Sequence, residues 1–360
     1  MYYIGYDLGS SSIKISIVCS KTGKNIKTIN EPSNEMKIIS LKIDWAEQDP
    51  DIWWKHICNG TKRILLESKI NSNDIISIGI SYQMHGLVII DKNGKPLRNS
   101  IIWCDSRSVE IGKKAYKDIG GYKCSKNLLN SPGNFTASKL KWVKQNEPSI
   151  YKKIFKYMLP GDYIAYKMSN KVFTTINGLS EGILWDYNKN EIANWLLDYY
   201  EIEKSLTPDL IENFTNQGEI TTEASNQIGL PKGIPITYRA GDQPNNALSL
   251  NVMRDGEVAA TGGTSGVVYA VTDKLISNES IRINHFAHVN YSKKSKLLGK
   301  LLCINGSGIL YKWLKDNFSD VSYEQMNKKA SQIKIGSEGL IIIPFGNGAE
   351  RMFDNKNIGS

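Results

Sequence analysis

Gly241-Asp242-Gln243 and, further along, Gly262-Gly263-Thr264-Ser265-Gly266 decide how this chain is read. The first offers one carboxylate in a Gly-led polar loop, delivered by the strand-like run Ile236-Thr237-Tyr238-Arg239-Ala240. The second is backbone with almost no side chain, set between Val258-Ala259-Ala260 and Val267-Val268-Tyr269-Ala270. That pattern predicts strand, tight turn, strand. Glycine tolerates unusual backbone angles, so successive N–H groups in such a turn can face an anion at close range. A carboxylate beside a phosphate cradle is the smallest kit for phosphoryl transfer. The cradle holds the γ-phosphate, and the carboxylate orients and deprotonates the attacking hydroxyl. Taken alone, a Gly-rich hairpin is more often simply a turn.

A second copy changes the balance. Tyr2-Tyr3-Ile4-Gly5-Tyr6 runs into Asp7-Leu8-Gly9-Ser10-Ser11-Ser12, and then into Ile13-Lys14-Ile15-Ser16-Ile17-Val18. This is again a strand, a small-residue turn with an acid, and a strand. The separation of the copies is too long for a solenoid repeat and suits two related domains facing one cleft. Two phosphate-binding hairpins opposed across a cleft predict an α/β protein of the actin-like ATPase (ribonuclease H-like) fold.

The chain has 360 residues, with 41% hydrophobic and 22% charged residues, which fits a globular protein of two domains. No apolar run reaches the length of a membrane span, and no signal peptide is expected at the N-terminus. The five cysteines are scattered and odd in number, which argues against a disulfide framework or zinc site and for the cytoplasm. The net charge of +9 is dispersed, so a nucleic-acid partner is not expected.

Asp49 as N-cap and Pro50 at the first helical position predict a helix to about Ser68. Ile75 to Ser81 reads as a strand, and Thr136 as the cap of a helix ending near Glu147-Pro148. Asn190 to Glu203 reads as a helix capped by Asn190. A domain boundary is expected near residue 246, dividing 1–246 from 247–360.

Gln83-Met84-His85-Gly86 follows a strand, where α/β sheets present ligand-binding groups; the bland alternative is an unliganded loop histidine. Trp103 with Asp105 and Arg107 suits a sugar held by a carboxylate beside a stacking aromatic, or equally a surface ion pair. His285 and His288 read as structural. Asp7 is the candidate for Mg²⁺, held through water. Asn305-Gly306-Ser307-Gly308 enters an amphipathic helix.

In this order the motifs resemble the FGGY carbohydrate kinases, with the xylulokinases the nearest pattern. The resemblance rests on Asp7 to Lys14, Trp45 to Pro50, Gln83 to Val88, Trp103 to Arg107 and Gly161-Asp162-Tyr163. Gly241-Asp242-Gln243, Gly263 to Gly266, Asn305 to Leu314 and Pro344 to Arg351 complete it. It implies sugar bound mainly by the first domain and ATP by the second. It implies Asp242 as general base, with Gln83, Met84, His85, Trp103, Asp105 and Gln243 toward the sugar. Ser10, Ser11, Ser12, Gly263, Thr264, Ser265 and Asn305 would face the nucleotide, with Asp7 toward Mg²⁺. The implied reaction is ATP-dependent phosphorylation of D-xylulose to D-xylulose 5-phosphate. A kinase for ribulose or glycerol, or a non-catalytic sugar-binding fragment, are the alternatives. The pattern departs at Cys104, where xylulokinases usually carry Asn. It also departs at Ser360, short of the family's usual length, so an incomplete second domain and a homodimer are further expectations.

Overall fold

The computed structural model describes residues 1–262, 266–304, 306–317 and 321–343, and the backbone alone of 349–350 and 356–357. Three antiparallel strands open the chain: β1 (Tyr2–Leu8), β2 (Ile13–Cys19) and β3 (Asn25–Glu31). Their period-2 alternation puts Ile4, Tyr6, Leu8, Ile13, Ile15 and Ile17 on one buried face. Helix α1 (Pro50–Ser68) covers that face with Trp53, Ile57, Thr61 and Ile64. Asp49 caps it, its carboxylate accepting from the Asp51 N–H, and Pro50 begins it, as expected. Gly60 lets the helix close on the sheet, because a Cβ there would lie 2.4 Å from Cδ1 of Ile15.

The chain returns through β4 (Ile75–Tyr82), which lies parallel to β1. A largely helical region follows, including α2 (Thr136–Asn146), α3 (Pro160–Ser169) and α4 (Ile176–Glu181). Strand β5 (Ile236–Gly241) then pairs parallel with β4 and leads directly into α5 (Asp242–Ser249). The first sheet therefore runs β5-β4-β1-β2-β3. The boundary expected near residue 246 falls inside α5.

The second sheet comprises β6 (Val258–Gly262), β7 (Gly266–Thr272), β8 (Asn284–Ala287) and β9 (Leu298–Ile304), in the order β6-β7-β9-β8. All of its pairings are antiparallel. Helix α6 (Ser307–Asn317) follows it and buries none of its residues. One hydrophobic core lies between the first sheet and α1; another runs from Leu140, Tyr157 and Trp185 to Tyr269, Phe286 and Leu301.

Two local expectations are corrected. Thr136 is the first helical residue of α2; Phe135 holds the cap position with no side-chain bond. Asn190 does not cap a helix. It adopts φ 58°, Glu191 and Ile192 form a short strand, and the helix spans only Asn194–Tyr200. Asn tolerates the left-handed region, so the residue that suggested a cap supplies a turn.

Candidate functional site

The site is built by register. Leu8, Tyr82 and Gly241 lie side by side at the ends of the three parallel strands. One step back, Asp7 pairs with Ser81, and Ser81 with Ala240. The residues that leave these ends are the Ser10 turn, the Gln83–Gly86 loop and Asp242. Three stretches far apart in sequence thus open at one edge of one sheet, where α/β folds place ligands.

Asp242 starts α5, and Gln243 donates to it from both its main chain and its side chain. Burial, and then the Asp7 carboxylate, push the Asp242 carboxyl up to about 7. A base with that value is matched to accepting a proton near neutral pH. Asp7 meets Nζ of Lys14 at 3.4 Å, a long contact between partly exposed side chains.

His85 adopts φ 63°, a region costly for a residue with a Cβ. Several contacts hold it there. Its Nδ1 lies 2.9 Å from the Glu181 carbonyl oxygen, and its own carbonyl accepts from Nζ of Lys139 at 2.8 Å. Its ring lies 4.8 Å from Phe135 and 5.2 Å from Phe286, the latter on β8. Lys139 also donates to the Ile102 carbonyl at 2.9 Å, so one ammonium joins the His85 loop to the Trp103 loop. Burial pushes this lysine down to about 8. Met84 is buried against Gly241, and Trp103 is 52% exposed with Nε1 3.5 Å from Oγ of Ser10.

Two expected sugar contacts face elsewhere. Asp105 is fully buried, its carboxylate accepting from the Ala46 N–H at 2.6 Å and from Arg107 at 2.6–2.9 Å. Arg107 continues to Glu47 at 2.7 Å and stacks on Trp45 at 3.8 Å. This is neither a surface ion pair nor a carboxylate open to a ligand. It braces the loop that carries Trp103. Gln83 also points inward, Nε2 donating to Gln48 Oε1 at 3.2 Å; Gln48 in turn donates to the Ser10 carbonyl at 2.6 Å. His285 and His288 are buried, and burial pushes both down to about 4. Gly263, Thr264, Ser265 and Asn305, together with most of Pro344 to Arg351, lie outside the described residues.

Sequence reading missed Lys139, Glu181, Phe135 and Phe286. Lys139 had a signal: it precedes Leu140 and shares a helical face with Val143, both buried. Glu181 had none beyond being an acid close to Leu179, Ile183 and Leu184.

The FGGY family N-terminal domain model, described as that of the FGGY family of carbohydrate kinases, matches residues 2–249. This chain belongs to that family. A xylulose kinase of Staphylococcus xylosus is 29% identical over 350 residues, covering 96% of this chain and 70% of that protein. The solved xylulose kinase of Rhodospirillum rubrum superposes with a TM-score of 0.85 at 22% identity, over 96% of this chain and 70% of that one. Plasmodium falciparum glycerol kinase with ADP gives 0.87 at 20%, over 99% and 71%. The fold is the actin-like one, and the chain spans about 70% of the length of these relatives. Membership makes it a phosphotransferase acting on a carbohydrate, with ATP as donor. Among the described residues no helix is long and apolar enough to cross a membrane.

Proposed function

We propose that this kinase phosphorylates D-xylulose at its terminal hydroxyl, giving D-xylulose 5-phosphate and ADP. The observation that carries the reading is the flush end of β1, β4 and β5, which brings Asp242, Asp7 and the His85 loop to one edge. Asp242 accepts the proton of the terminal hydroxyl as its oxygen bonds to the γ-phosphorus and the bond to ADP breaks. Met84, His85, Trp103 and Gln243 line the sugar, while Asp105 and Gln83 brace the loops behind them. Ser10 to Ser12 are assigned to the phosphates, as the family resemblance also assigns Gly263 to Ser265, and Asn305 to the nucleotide. The division of labour follows residues 1–246 for sugar and 247–360 for nucleotide.

Mg²⁺ fits Asp7: a single hard carboxylate at the sheet edge suits an ion held mostly by water and phosphate oxygens. When bound, it neutralises charge on the transferring phosphoryl group. The reading includes work in the cytoplasm, for which the scattered, odd number of cysteines speaks.

A second reading, a polyol kinase, draws on the likeness to the glycerol kinase structure. A panel of D-xylulose, L-xylulose, D-ribulose and glycerol, assayed by ADP release, tests both. Highest kcat/KM on D-xylulose supports the first reading, and highest on glycerol the second. ADP release from none of them, by a chain that binds sugar, would leave a sugar-binding protein.

A further inference from the structure

Helix α4 faces two ways. Toward the second sheet, Nδ2 of Asn177 donates to the Ala287 and His288 carbonyls at 3.0 and 2.6 Å. Oγ of Ser180 accepts from the Ala287 N–H at 2.7 Å. Toward the first sheet, the helix ends in Glu181, which is 1% exposed. Among the described residues the Tyr82 hydroxyl is the hydrogen-bonding neighbour of its carboxyl, in a geometry short of a full hydrogen bond. A Cβ built on Gly241 would lie 2.5 Å from Glu181 Oε2 and 2.5 Å from Met84 Cγ. The carboxyl and Met84 therefore fill the space behind the residue that precedes Asp242. The same glutamate contacts His85 through its main-chain oxygen.

The charged groups around it have other partners. Arg239 pairs with Asp162 at 3.3 Å, and Lys139 donates to the His85 and Ile102 carbonyls. Tyr82, Asp162 and Asp242 complete the surroundings. Burial above all, opposed by the Tyr82 hydroxyl and the Lys139 ammonium and reinforced by Asp242 and Asp162, holds the Glu181 carboxyl well above the usual range.

We propose that Glu181 is a positioning residue for phosphoryl transfer: its buried carboxyl packs behind Gly241 and fixes Asp242 relative to a sugar held at the His85 loop. Through Asn177 and Ser180 the same helix ties that position to the second sheet. The inference rests on the kinase reading.

The test compares wild type, Glu181→Ala and Glu181→Gln by ADP release, calorimetric titration of D-xylulose and thermal melting. Glu181→Ala should lose kcat by about 100-fold, the scale of a small misplacement, with sugar affinity within about 3-fold. Glu181→Gln keeps the shape and carries no charge. It should hold kcat within about 3-fold and leave the acid limb of kcat/KM in place. A lower melting temperature in Glu181→Ala with wild-type kcat would overturn the proposal. So would Glu181→Gln losing as much as Glu181→Ala, or its acid limb moving, since a charged carboxylate would then be required. Should Glu181→Ala not fold, Gly241→Ala presses on the same contact from the other side. It should lower kcat, and adding Glu181→Ser should restore part of it; no restoration overturns the proposal. An active wild type with an unaffected Glu181→Ala removes this inference alone. A folded wild type that neither binds nor phosphorylates sugar removes the kinase reading and this inference with it.

Discussion

The two sheets start from the same hairpin and are completed differently. In the first, β1 pairs with β2 on one side and with β4 on the other, and β5 lies beyond β4. In the second, β6 pairs with β7 and has no strand on its other side among the described residues. Helix α1 buries Trp53, Ile57 and Ile64 against the first sheet, whereas Trp313 of α6 is 58% exposed. A hairpin thus encodes its own pairing and not the layer that covers it. The first sheet has its parallel strands, so the strand ends that carry Asp7, the Gln83–Gly86 loop and Asp242 are assembled. The second sheet packs Tyr269, Phe286 and Leu301 into the other core and is held at its β8 edge by side chains of Asn130, Asn177 and Ser180.

This contrast can be broken at several points. The largest effect belongs to Asp242→Ala, which should lower kcat by about 10²–10⁴-fold, as loss of a general base does. Sugar binding, which the first sheet supports, should persist in calorimetry. The wild-type kcat/KM should fall below about pH 7, where Asp242 takes up its proton. The same shift has a stability side. The folded carboxyl is raised from 3.8 to about 7, so ionising it costs the folded state relative to the unfolded one. Asp242→Asn removes that cost. Its gain in melting temperature over wild type should grow from about pH 4 to 7 and flatten above.

Next come the helices packed on or beside the two sheets. Ile57→Ala in α1 leaves a cavity under the first sheet and should cost about 2–5 kcal/mol in denaturant unfolding. At the edge of β8, Asn177→Ala takes its amide donor from the Ala287 and His288 carbonyls, of which His288 keeps the Tyr291 N–H, and should cost about 1–3 kcal/mol. Trp313→Ala should stay within about 0.5 kcal/mol, because α6 buries none of its residues. A large loss at Trp313 would mean that the second sheet is covered in solution by something that buries this helix.

Much of this was legible in the sequence, for physical reasons that differ by element. The alternation Ile13, Ile15, Ile17 and the Asp49-Pro50 start are local signals, and strand and helix followed them. The ordered motifs placed Asp242 after a strand and the Gln83–Gly86 loop after another. What the sequence could not carry was direction. Asp105 and Gln83 sit in the expected loops but turn inward, because the distant Ala46 N–H joins Arg107 of the same loop on Asp105, and Gln48 comes from far along the chain to meet Gln83. Glu181 and Phe286 gain their neighbours only when α4 and β8 pack against the first sheet. Asn190 misled because one side chain serves both caps and left-handed turns.

The most direct measurement is calorimetric titration of D-xylulose into this chain without nucleotide. The Gln83–Gly86 loop leaves the first sheet directly and Trp103 reaches the Ser10 turn of that sheet, so the prediction is saturable one-to-one binding that survives Asp242→Ala. A chain that circular dichroism shows to be folded and that takes up no D-xylulose would contradict it.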